Sequence, residues 1–445
     1  MTRLFRIITL GCKVNQYESA YLHERLTDAG WQQAKRDEKA DVSIINTCIV
    51  TQAASRQSRQ EIRRAVRANP GGTVIVTGCY AQVFPDELSP IDGITLIAGN
   101  TEKGKLPEWI LNTAGNEKQR ILTNSFGPES SFEFLPIRRF SDRSRAFLKI
   151  QDGCRSFCSY CIVPYARGPC RSLAPRDVLS MIEILSREGY QEVILTGIHL
   201  GKYGTESDHG TGLTRLLQSI GNECFPVRIR LSSIEINEID MELVEMMAVE
   251  PWLCRHLHIP MQSGDAGVLK RMNRTYSPKH FVERIVYIHE RIPLVSIGVD
   301  VMAGFPGEDP VAHQNTCALI RDLPVSYLHV FPFSPRSGTP AAAFKDQVDR
   351  RVIRERAAQL RTIGKRKKAV FYQRCLKKQF KVLPERRDAE KPRMIIGHSD
   401  NYLPVIFPST EVPDRIVPVW IEAVEGDMMI GSMAQMLSPG PRESR

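Results

Sequence analysis

A chain of 445 residues with 42% hydrophobic residues is long enough for two or three globular domains, and no apolar run reaches the length of a membrane-spanning helix. The apolar stretch at its start is too short for a signal peptide, and eleven cysteines favour reduced thiols and metal binding over disulfides, so we expect a cytoplasmic protein with no membrane partner. Lys and Arg exceed Asp and Glu by ten, a surplus compatible with an ordinary solvated surface or with an anionic partner.

The first hundred residues alternate between short apolar runs and segments with helical spacing. Strands are predicted at 6–10, 42–45 and 73–76, and helices at 18–29 and 52–67. Strands that alternate with helices imply a parallel sheet, because parallel neighbours need crossover connections. The pattern predicts an N-terminal parallel α/β domain over residues 1–115.

A cysteine follows each of these three strands, at Cys12, Cys48 and Cys79. In an open parallel sheet, ligands bind outside the carboxyl ends of the strands, so these side chains should meet at one edge. Buried structural thiols are the alternative, since cysteine packs well in an apolar core. Three cysteines at equivalent junctions, two of them after glycine, favour a metal site with three protein ligands.

A polar stretch around Gly127 and Pro128 predicts a linker over residues 116–142, and a longer alternation follows over 143–371. The predicted strands lie at 146–150, 192–195, 227–231, 256–260, 296–301 and 327–331. The predicted helices lie at 176–187, 213–220, 239–248, 278–289 and 311–323. Six such units indicate a partial (βα)6 barrel rather than a closed eightfold one, with its chemistry at the carboxyl ends of the strands.

The loop after the first barrel strand has the spacing CxxxCxxC, at Cys154, Cys158 and Cys161. Three thiolates on one short loop can hold three irons of a 4Fe-4S cluster and leave the fourth iron without a protein ligand. An open iron can chelate a small molecule, which makes the cluster a catalyst. A zinc knuckle and a redox pair are the alternatives, but a lone CxxxCxxC has no fourth zinc ligand in register.

The last hundred residues combine a basic segment with short strands. Residues 350–381 hold thirteen Lys or Arg and one acidic residue, Glu355, which favours a polyanion, nucleic acid first and an anionic membrane second. Five strands are predicted at 379–383, 393–396, 403–406, 415–421 and 428–430. A domain of this size, over 372–438, suggests a small antiparallel β-barrel of a kind that binds nucleic acid.

Several motifs of this α/β chain resemble those of the radical S-adenosylmethionine methylthiotransferases. The matching segments are GCKVNQ at 11–16, NTC at 46–48, GCYAQ at 78–82, DGC at 152–154, PYARG at 164–168, GFPGE at 304–308 and GHSDNY at 397–402. The resemblance covers nearly the whole chain. It implies an N-terminal methylthiotransferase domain, a radical-SAM partial barrel and a TRAM-like RNA-binding β-barrel.

Lys13 and the segment FPFSPRSGTP at 331–340 are most similar to the branch that methylthiolates C2 of N6-threonylcarbamoyladenosine beside the tRNA anticodon. The isopentenyladenosine branch and the ribosomal-protein aspartate branch remain alternatives within the family. A non-catalytic iron–sulfur protein that binds RNA or acts as a sensor is the alternative from another class. Cys170 departs from the family pattern, and we expect a structural thiol there.

The resemblance also implies the cofactors and their contacts. Cys154, Cys158 and Cys161 would hold the catalytic 4Fe-4S cluster, which binds S-adenosylmethionine and cleaves it to a 5′-deoxyadenosyl radical. Cys12, Cys48 and Cys79 would hold a second 4Fe-4S cluster that carries the sulfur. The expected contacts of S-adenosylmethionine are Tyr160, Thr196, Gly197, Glu235, Gln262, Arg274 and Asp300. The partners would be the tRNA anticodon stem-loop and an electron donor such as flavodoxin or ferredoxin.

Overall fold

The computed structural model describes residues 2–35, 38–112, 119–127, 129–140, 144–206 and 212–433; Pro128 of the predicted linker lies outside them. Among the described residues, no helix combines the length and the apolar character needed to cross a bilayer. The fold is α/β, as predicted, with parallel sheets in its first two parts and a closed five-stranded barrel at its end.

The N-terminal part is built on a six-stranded sheet with the order β2-β1-β3-β4-β5-β6, in which every pair is parallel. Its strands are β1 (Leu4–Thr9), β2 (Gln32–Gln33), β3 (Val42–Thr47), β4 (Thr73–Gly78), β5 (Leu96–Ala98) and β6 (Arg120–Leu122). Its helices are α1 (Lys13–Asp28), α2 (Gln52–Ala68), α3 (Cys79–Val83), α4 (Pro85–Leu88) and α5 (Leu106–Asn112). Every residue of β3 is buried, as expected for a central parallel strand covered on both faces.

The segment predicted as a linker contributes β6 to this sheet. The strand has only three residues at the sheet edge, and two of them are exposed. A short, solvated edge strand lacks the apolar alternation that identifies a strand in the sequence. The boundaries of the predicted domains remain predictions.

The central part contains the six predicted βα units. It opens with β7 (Ala146–Lys149), followed by the antiparallel pair β8 (Gln151–Asp152) and β9 (Arg171–Ser172). The other strands are β10 (Glu192–Thr196), β11 (Arg228–Leu231), β12 (His256–Gln262), β13 (Ser296–Ala303) and β14 (Tyr327–Pro332). The helices are α6 (Val163–Arg167), α7 (Pro175–Arg187), α8 (Leu213–Asn222), α9 (Met241–Val249), α10 (Ala266–Arg271), α11 (Pro278–Arg291), α12 (Pro310–Asp322) and α13 (Arg350–Cys375).

These strands form two parallel three-stranded sheets, β11-β10-β7 and β12-β13-β14, which meet at a bridge between Ile229 and Leu253. Leu257 and Ile259 of β12 belong to the apolar core of this part, whereas His256 and His258 alternate with them and point to the opposite, inner face. The inner face of the partial barrel is therefore polar while its outer face packs on the helices.

The C-terminal part is a closed barrel with the order β15-β16-β17-β19-β18. Its strands are β15 (Gln379–Arg387), β16 (Met394–Ser399), β17 (Pro404–Pro408), β18 (Val417–Glu425) and β19 (Met428–Met433). All pairs are antiparallel except β17 with β19, which is parallel. Helix α13 runs across the predicted boundary at 371/372, because its last turns place Phe371, Tyr372 and Cys375 in the core of this barrel.

The small barrel docks at the amino ends of the barrel strands. Arg228 donates to the carbonyls of Lys381 and His398 at 2.8 and 2.9 Å, and Arg230 donates to those of Ser399 and Asp400 at 2.9 Å each. The opposite, carboxyl ends of the strands remain free for the loop that contains CxxxCxxC.

Candidate active site

Cys12, Cys48 and Cys79, here called the first triad, lie at the carboxyl ends of β1, β3 and β4. The three thiols are electrostatic neighbours of one another. Gly11 has a φ of 101°, and a Cβ at this position would lie 2.9 Å from the Cβ of Cys48, so the first loop needs glycine. The parallel sheet thus brings the three predicted side chains to one edge.

Nitrogen donors face the sulfur of Cys79. Arg167 Nε lies 3.4 Å and Asn100 Nδ2 lies 3.7 Å from Cys79 Sγ. Arg167 is buried, and although burial would lower its pKa, the negative charges of Cys79, Glu18 and Asp152 raise it. Burial raises the pKa of Cys12, which Arg167 partly offsets, and raises that of Cys48 to about 11. Three thiols at one sheet edge, with nitrogen donors toward Cys79, form a donor set that fits an iron–sulfur cluster, whose binding would have to supply the cost of ionising them.

Asn15 and Asn46 of the motifs around the first triad bind the backbone. Asn15 Nδ2 donates to the carbonyls of Leu10 and Thr47, and Asn46 Nδ2 donates to the carbonyl of Asn15. These bonds tie β1 to β3 beneath the cysteines. The two amides thus fix the loops that present the thiols.

Cys154, Cys158 and Cys161, here called the second triad, lie on the loop between β8 and α6. Gly153 precedes them with a φ of 77°, and a Cβ there would collide with the carbonyl of Pro169. Burial raises the pKa of Cys161 to about 12 and also raises that of Cys158, which Arg274 partly offsets from 3.5 Å. An iron–sulfur cluster that binds to these cysteines would have to supply the free energy needed to ionise the buried thiols.

His199 is a site residue that the sequence did not single out. Its Nδ1 lies 3.3 Å from Cys154 Sγ, and its Nε2 lies 2.6 Å from a carboxylate oxygen of Glu238. Burial would raise the pKa of Cys154, but hydrogen bonds from His199 and Ser156 lower it below its ordinary value. A histidine two residues after Thr196-Gly197, at the carboxyl end of a barrel strand, was the available signal.

Three of the predicted S-adenosylmethionine contacts lie together beside the second triad. Arg274 Nη1 lies 3.0 Å from Glu235 Oε1 and 3.5 Å from Cys158 Sγ. Tyr160 is an electrostatic neighbour of Cys158, Arg274 and Glu235, and burial raises its pKa well above the ordinary value. Arg274 and Glu235 form a partly buried ion pair that could exchange partners with a ligand's carboxylate and ammonium groups.

Thr196 and Gly197 end β10 on the side of Cys154. The Thr196 carbonyl accepts a hydrogen bond from Ile150 N at 3.0 Å, and Gly197 lies against the side chain of Gln151. Gln151 in turn accepts a hydrogen bond from His199 N at 2.7 Å. This turn is therefore connected to the second triad through His199.

Gln262 and Asp300, the two remaining predicted contacts of S-adenosylmethionine, lie on the neighbouring strands β12 and β13. Gln262 is the last residue of β12, at a register shift, with a φ of 62°. Asp300 lies 2.8 Å from His258 and 3.6 Å from His329 on the inner face of the barrel. Burial alone would raise the pKa of Asp300, but the two histidines lower it to about 2. One ligand atom from each of Asp300, His258 and His329 lies within 4.8 Å of the other two, so these three side chains could accept a metal ion. The contacts of Asp300 with the two histidines explain the same arrangement without a metal.

A buried ionic network lies between the two triads. Glu18 of α1 pairs with Arg167, Lys103 and Lys149, and Asp152 lies 3.2 Å from Lys149 and 3.4 Å from Arg167. Glu18 and Lys103 belong to the N-terminal part, whereas the other residues belong to the barrel. The network therefore fixes the N-terminal part against the barrel.

Cys170 lies outside this network, and its thiol is directed at the carbonyl of Gly153, 3.9 Å away.

Comparisons with known proteins match two families. Residues 4–99 match the Uncharacterized protein family UPF0004, and residues 148–320 match the Radical SAM superfamily. The threonylcarbamoyladenosine tRNA methylthiotransferase MtaB of Bacillus subtilis (strain 168) is 39% identical over 91% of this chain and 90% of its own. The protein of that name from Thermotoga maritima is 36% identical over 85% of this chain and 86% of its own.

A tRNA-2-methylthio-N(6)-dimethylallyladenosine synthase of Pelotomaculum thermopropionicum is 34% identical over 79% of this chain and 80% of its own. Among solved structures, the radical S-adenosylmethionine methyltransferase TsrM from Kitasatospora setae superimposes with a TM-score of 0.57 at 16% identity, over 77% of each chain. At that identity the likeness concerns the fold.

Proposed function

The chain belongs to the radical SAM methylthiotransferases, in the branch named for threonylcarbamoyladenosine, and we propose that it inserts a methylthio group at C2 of N6-threonylcarbamoyladenosine beside the tRNA anticodon. One observation carries the proposal: the first triad lies at the carboxyl ends of three parallel strands, and the second triad lies on the loop between β8 and α6 in the adjoining barrel. One site can then activate the substrate while the other supplies sulfur.

The second triad is proposed to hold the catalytic 4Fe-4S cluster. When bound, this cluster and S-adenosylmethionine supply the one-electron chemistry that an unactivated aromatic C–H bond requires. His199, held by Glu238, lowers the pKa of Cys154 and so favours the ligating thiolate. Arg274 and Glu235 provide a cation and an anion that match the carboxylate and ammonium of the amino-acid moiety.

The first triad is proposed to hold the second 4Fe-4S cluster. Arg167 is supplied by the barrel and directs a buried N–H at Cys79, so the N-terminal site is completed by a residue that follows the second triad in sequence. The resulting proximity suits a reaction in which the substrate base must meet both sites. Asn100 adds a second, weaker donor.

The proposed partner is the tRNA anticodon stem-loop, which two basic surfaces could bind. Helix α13 exposes most of the thirteen basic residues of 350–381 and leads into the small barrel. Helix α2, which begins four residues after Cys48, exposes Arg56, Arg63 and Arg67 at helical spacing around a cleft of about 300 Å³. Phosphate contacts position an RNA by shape, while an unstacked loop base can be presented for chemistry.

The test is mass spectrometry of tRNA nucleosides after incubation with the reconstituted protein, S-adenosylmethionine and a low-potential reductant. We expect conversion of N6-threonylcarbamoyladenosine to its 2-methylthio derivative. A small reduced protein such as flavodoxin or ferredoxin would replace the chemical reductant in the cytoplasm, where tRNA is modified.

Cys158→Ala should abolish 5′-deoxyadenosine formation, because it removes a ligand of the cluster that transfers the electron. Cys224→Ala is the matched control, since Cys224 is an exposed cysteine far from either triad in sequence. Methylthiolation of isopentenyladenosine in place of the threonylcarbamoyl nucleoside would move the chain to the dimethylallyl branch. Wild-type levels of 5′-deoxyadenosine from Cys158→Ala would contradict the radical mechanism.

A further inference from the structure

Basic side chains crowd the inner face of the barrel where the small barrel docks. Arg228 Nε and Arg230 Nη2 lie 2.5 and 2.9 Å from one oxygen of Glu192, and Arg145 lies 3.5 Å from the other. Arg145 also pairs with Glu385 of the small barrel. The three guanidinium groups thus share two carboxylates; Arg228 and Arg230 also donate to backbone carbonyls of the small barrel, and Arg145 Nη2 lies 3.1 Å from His398 Nδ1.

Lys13 adds a fourth cation to this group. It is the residue after Cys12, and its electrostatic neighbours are Arg230, Arg145, Glu192 and Cys12. Lys13 lies one turn before Tyr17 on α1, and Tyr17 belongs to the buried cluster that includes Phe147 of β7, with its hydroxyl donating to the Leu135 carbonyl. Both side chains therefore project from α1 toward the barrel.

Within the described part of the chain, Lys13 has neither a hydrogen bond nor a direct ion pair. Four cations here face two carboxylates, and the other three already have partners in Glu192, Glu385, His398 and carbonyls of the small barrel. A half-buried ammonium among like charges is unfavourable unless an anion reaches it. The geometry of this corner suits a ligand that brings a negative charge next to Cys12.

We propose that Lys13 binds the carboxylate of the threonyl arm of the substrate nucleoside and so selects the threonylcarbamoyl substrate. This inference rests on the proposed function. C2 and N6 of adenine flank N1 on one edge of the ring, so a base that presents C2 to the first triad brings its N6 arm to the adjoining residue. A threonylcarbamoyl arm ends in a carboxylate, whereas a dimethylallyl arm is neutral and would give the ammonium no partner.

The test is a thermodynamic cycle between protein and substrate, using the reconstituted full-length protein. Three anticodon stem-loop RNAs would be compared. The first contains N6-threonylcarbamoyladenosine, the second contains its methyl amide, in which a neutral amide replaces the carboxylate, and the third contains unmodified adenosine. Wild type should bind the carboxylate RNA about ten- to a hundredfold more tightly than the amide, as expected for one charge-assisted contact. Lys13→Gln and Lys13→Met should bind the two RNAs with nearly equal affinity.

Two controls accompany the cycle. Lys279→Gln removes an exposed lysine on α11, 3.9 Å from Glu283, and should preserve the wild-type preference. The preference is the ratio of two affinities measured on one preparation of each variant, so a difference in iron loading between preparations affects both RNAs alike. Binding of the plain adenosine RNA should be the same in all variants, because the phosphate contacts are unchanged.

The outcomes separate this inference from the proposed function. If wild type methylthiolates the threonylcarbamoyl RNA and the Lys13 variants keep its full preference over the amide, Lys13 is not the carboxylate site. If wild type neither methylthiolates that RNA nor prefers it to the amide, the proposed function fails, and the assignment of Lys13 fails with it.

Discussion

Replacing Glu18 with glutamine should destabilise the folded protein by about 3–5 kcal/mol, the range for breaking a buried ion pair by removing one partner. Burial alone would raise the pKa of Glu18, but Arg167, Lys103 and Lys149 together hold it well below its ordinary value. Glutamine has nearly the same shape and no charge. The change therefore removes one anion from three cations without opening a cavity.

The three cations lose different shares of their ion-pair partners when Glu18 is replaced. Lys149 and Arg167 keep Asp152 at 3.2 and 3.4 Å, whereas Lys103 is buried and Glu18 is its only ion-pair partner among the described residues. Most of the loss should therefore arise from an uncompensated Lys103. A second substitution, Lys103→Met, removes that charge, so Glu18→Gln/Lys103→Met should be less destabilised than Glu18→Gln alone.

The assay is urea unfolding followed by circular dichroism, with the metal-free proteins compared at equal concentration. A group whose folded pKa lies below its unfolded value contributes stability above the unfolded pKa and loses it as pH falls through the folded pKa. The difference between wild type and Glu18→Gln should accordingly be complete at neutral pH and shrink below about pH 4.3. Glu245→Gln, which breaks an exposed pair with Arg291, is the matched control and should leave the midpoint unchanged. An unchanged midpoint for Glu18→Gln, or a double variant weaker than the single one, would refute the reasoning.

Three further predictions test the site and the RNA surface. Changing all three cysteines of the first triad to alanine should leave about half the iron of the reconstituted wild type and preserve S-adenosylmethionine cleavage; full retention of iron would show that the first triad holds no cluster. Arg274→Ala should weaken S-adenosylmethionine binding by about 1.5–3 kcal/mol in calorimetry, since one charge-assisted contact is lost; unchanged affinity would place the ligand elsewhere. Arg63→Glu on α2 should weaken tRNA binding and reduce its salt slope by about one, whereas Arg176→Glu, on the exposed face of α7, should change neither.

The sequence predicted most of the regular elements because their patterns are local. Strand β10 is a short run of buried, mostly apolar residues, β12 alternates polar and apolar residues, and α7 buries one apolar side at helical spacing. The cysteines at strand ends could be assigned to one edge for the same reason, since a parallel sheet fixes where its carboxyl ends lie.

The ionic network could not be predicted, because its partners are distant in sequence. Glu18 and Arg167 are 149 residues apart, and a glutamate on a polar helix is usually a surface residue. His199 was missed for a related reason: its role depends on Cys154, 45 residues earlier, rather than on its own neighbours. Local pattern identifies the candidate cysteines, whereas the groups that contact them emerge only from packing.

Local packing joins the loops of the two triads in addition to the buried ionic network. Helix α6 begins two residues after Cys161, helix α3 begins with Cys79, and Ala166 packs with Cys79, Tyr80 and Ala81 in one buried cluster. Asn100 adds a hydrogen bond to the Ala166 carbonyl at 2.7 Å. Because the loop of one triad is continuous with the helix that rests on the other, a larger side chain at Ala166 would push the two sites apart directly.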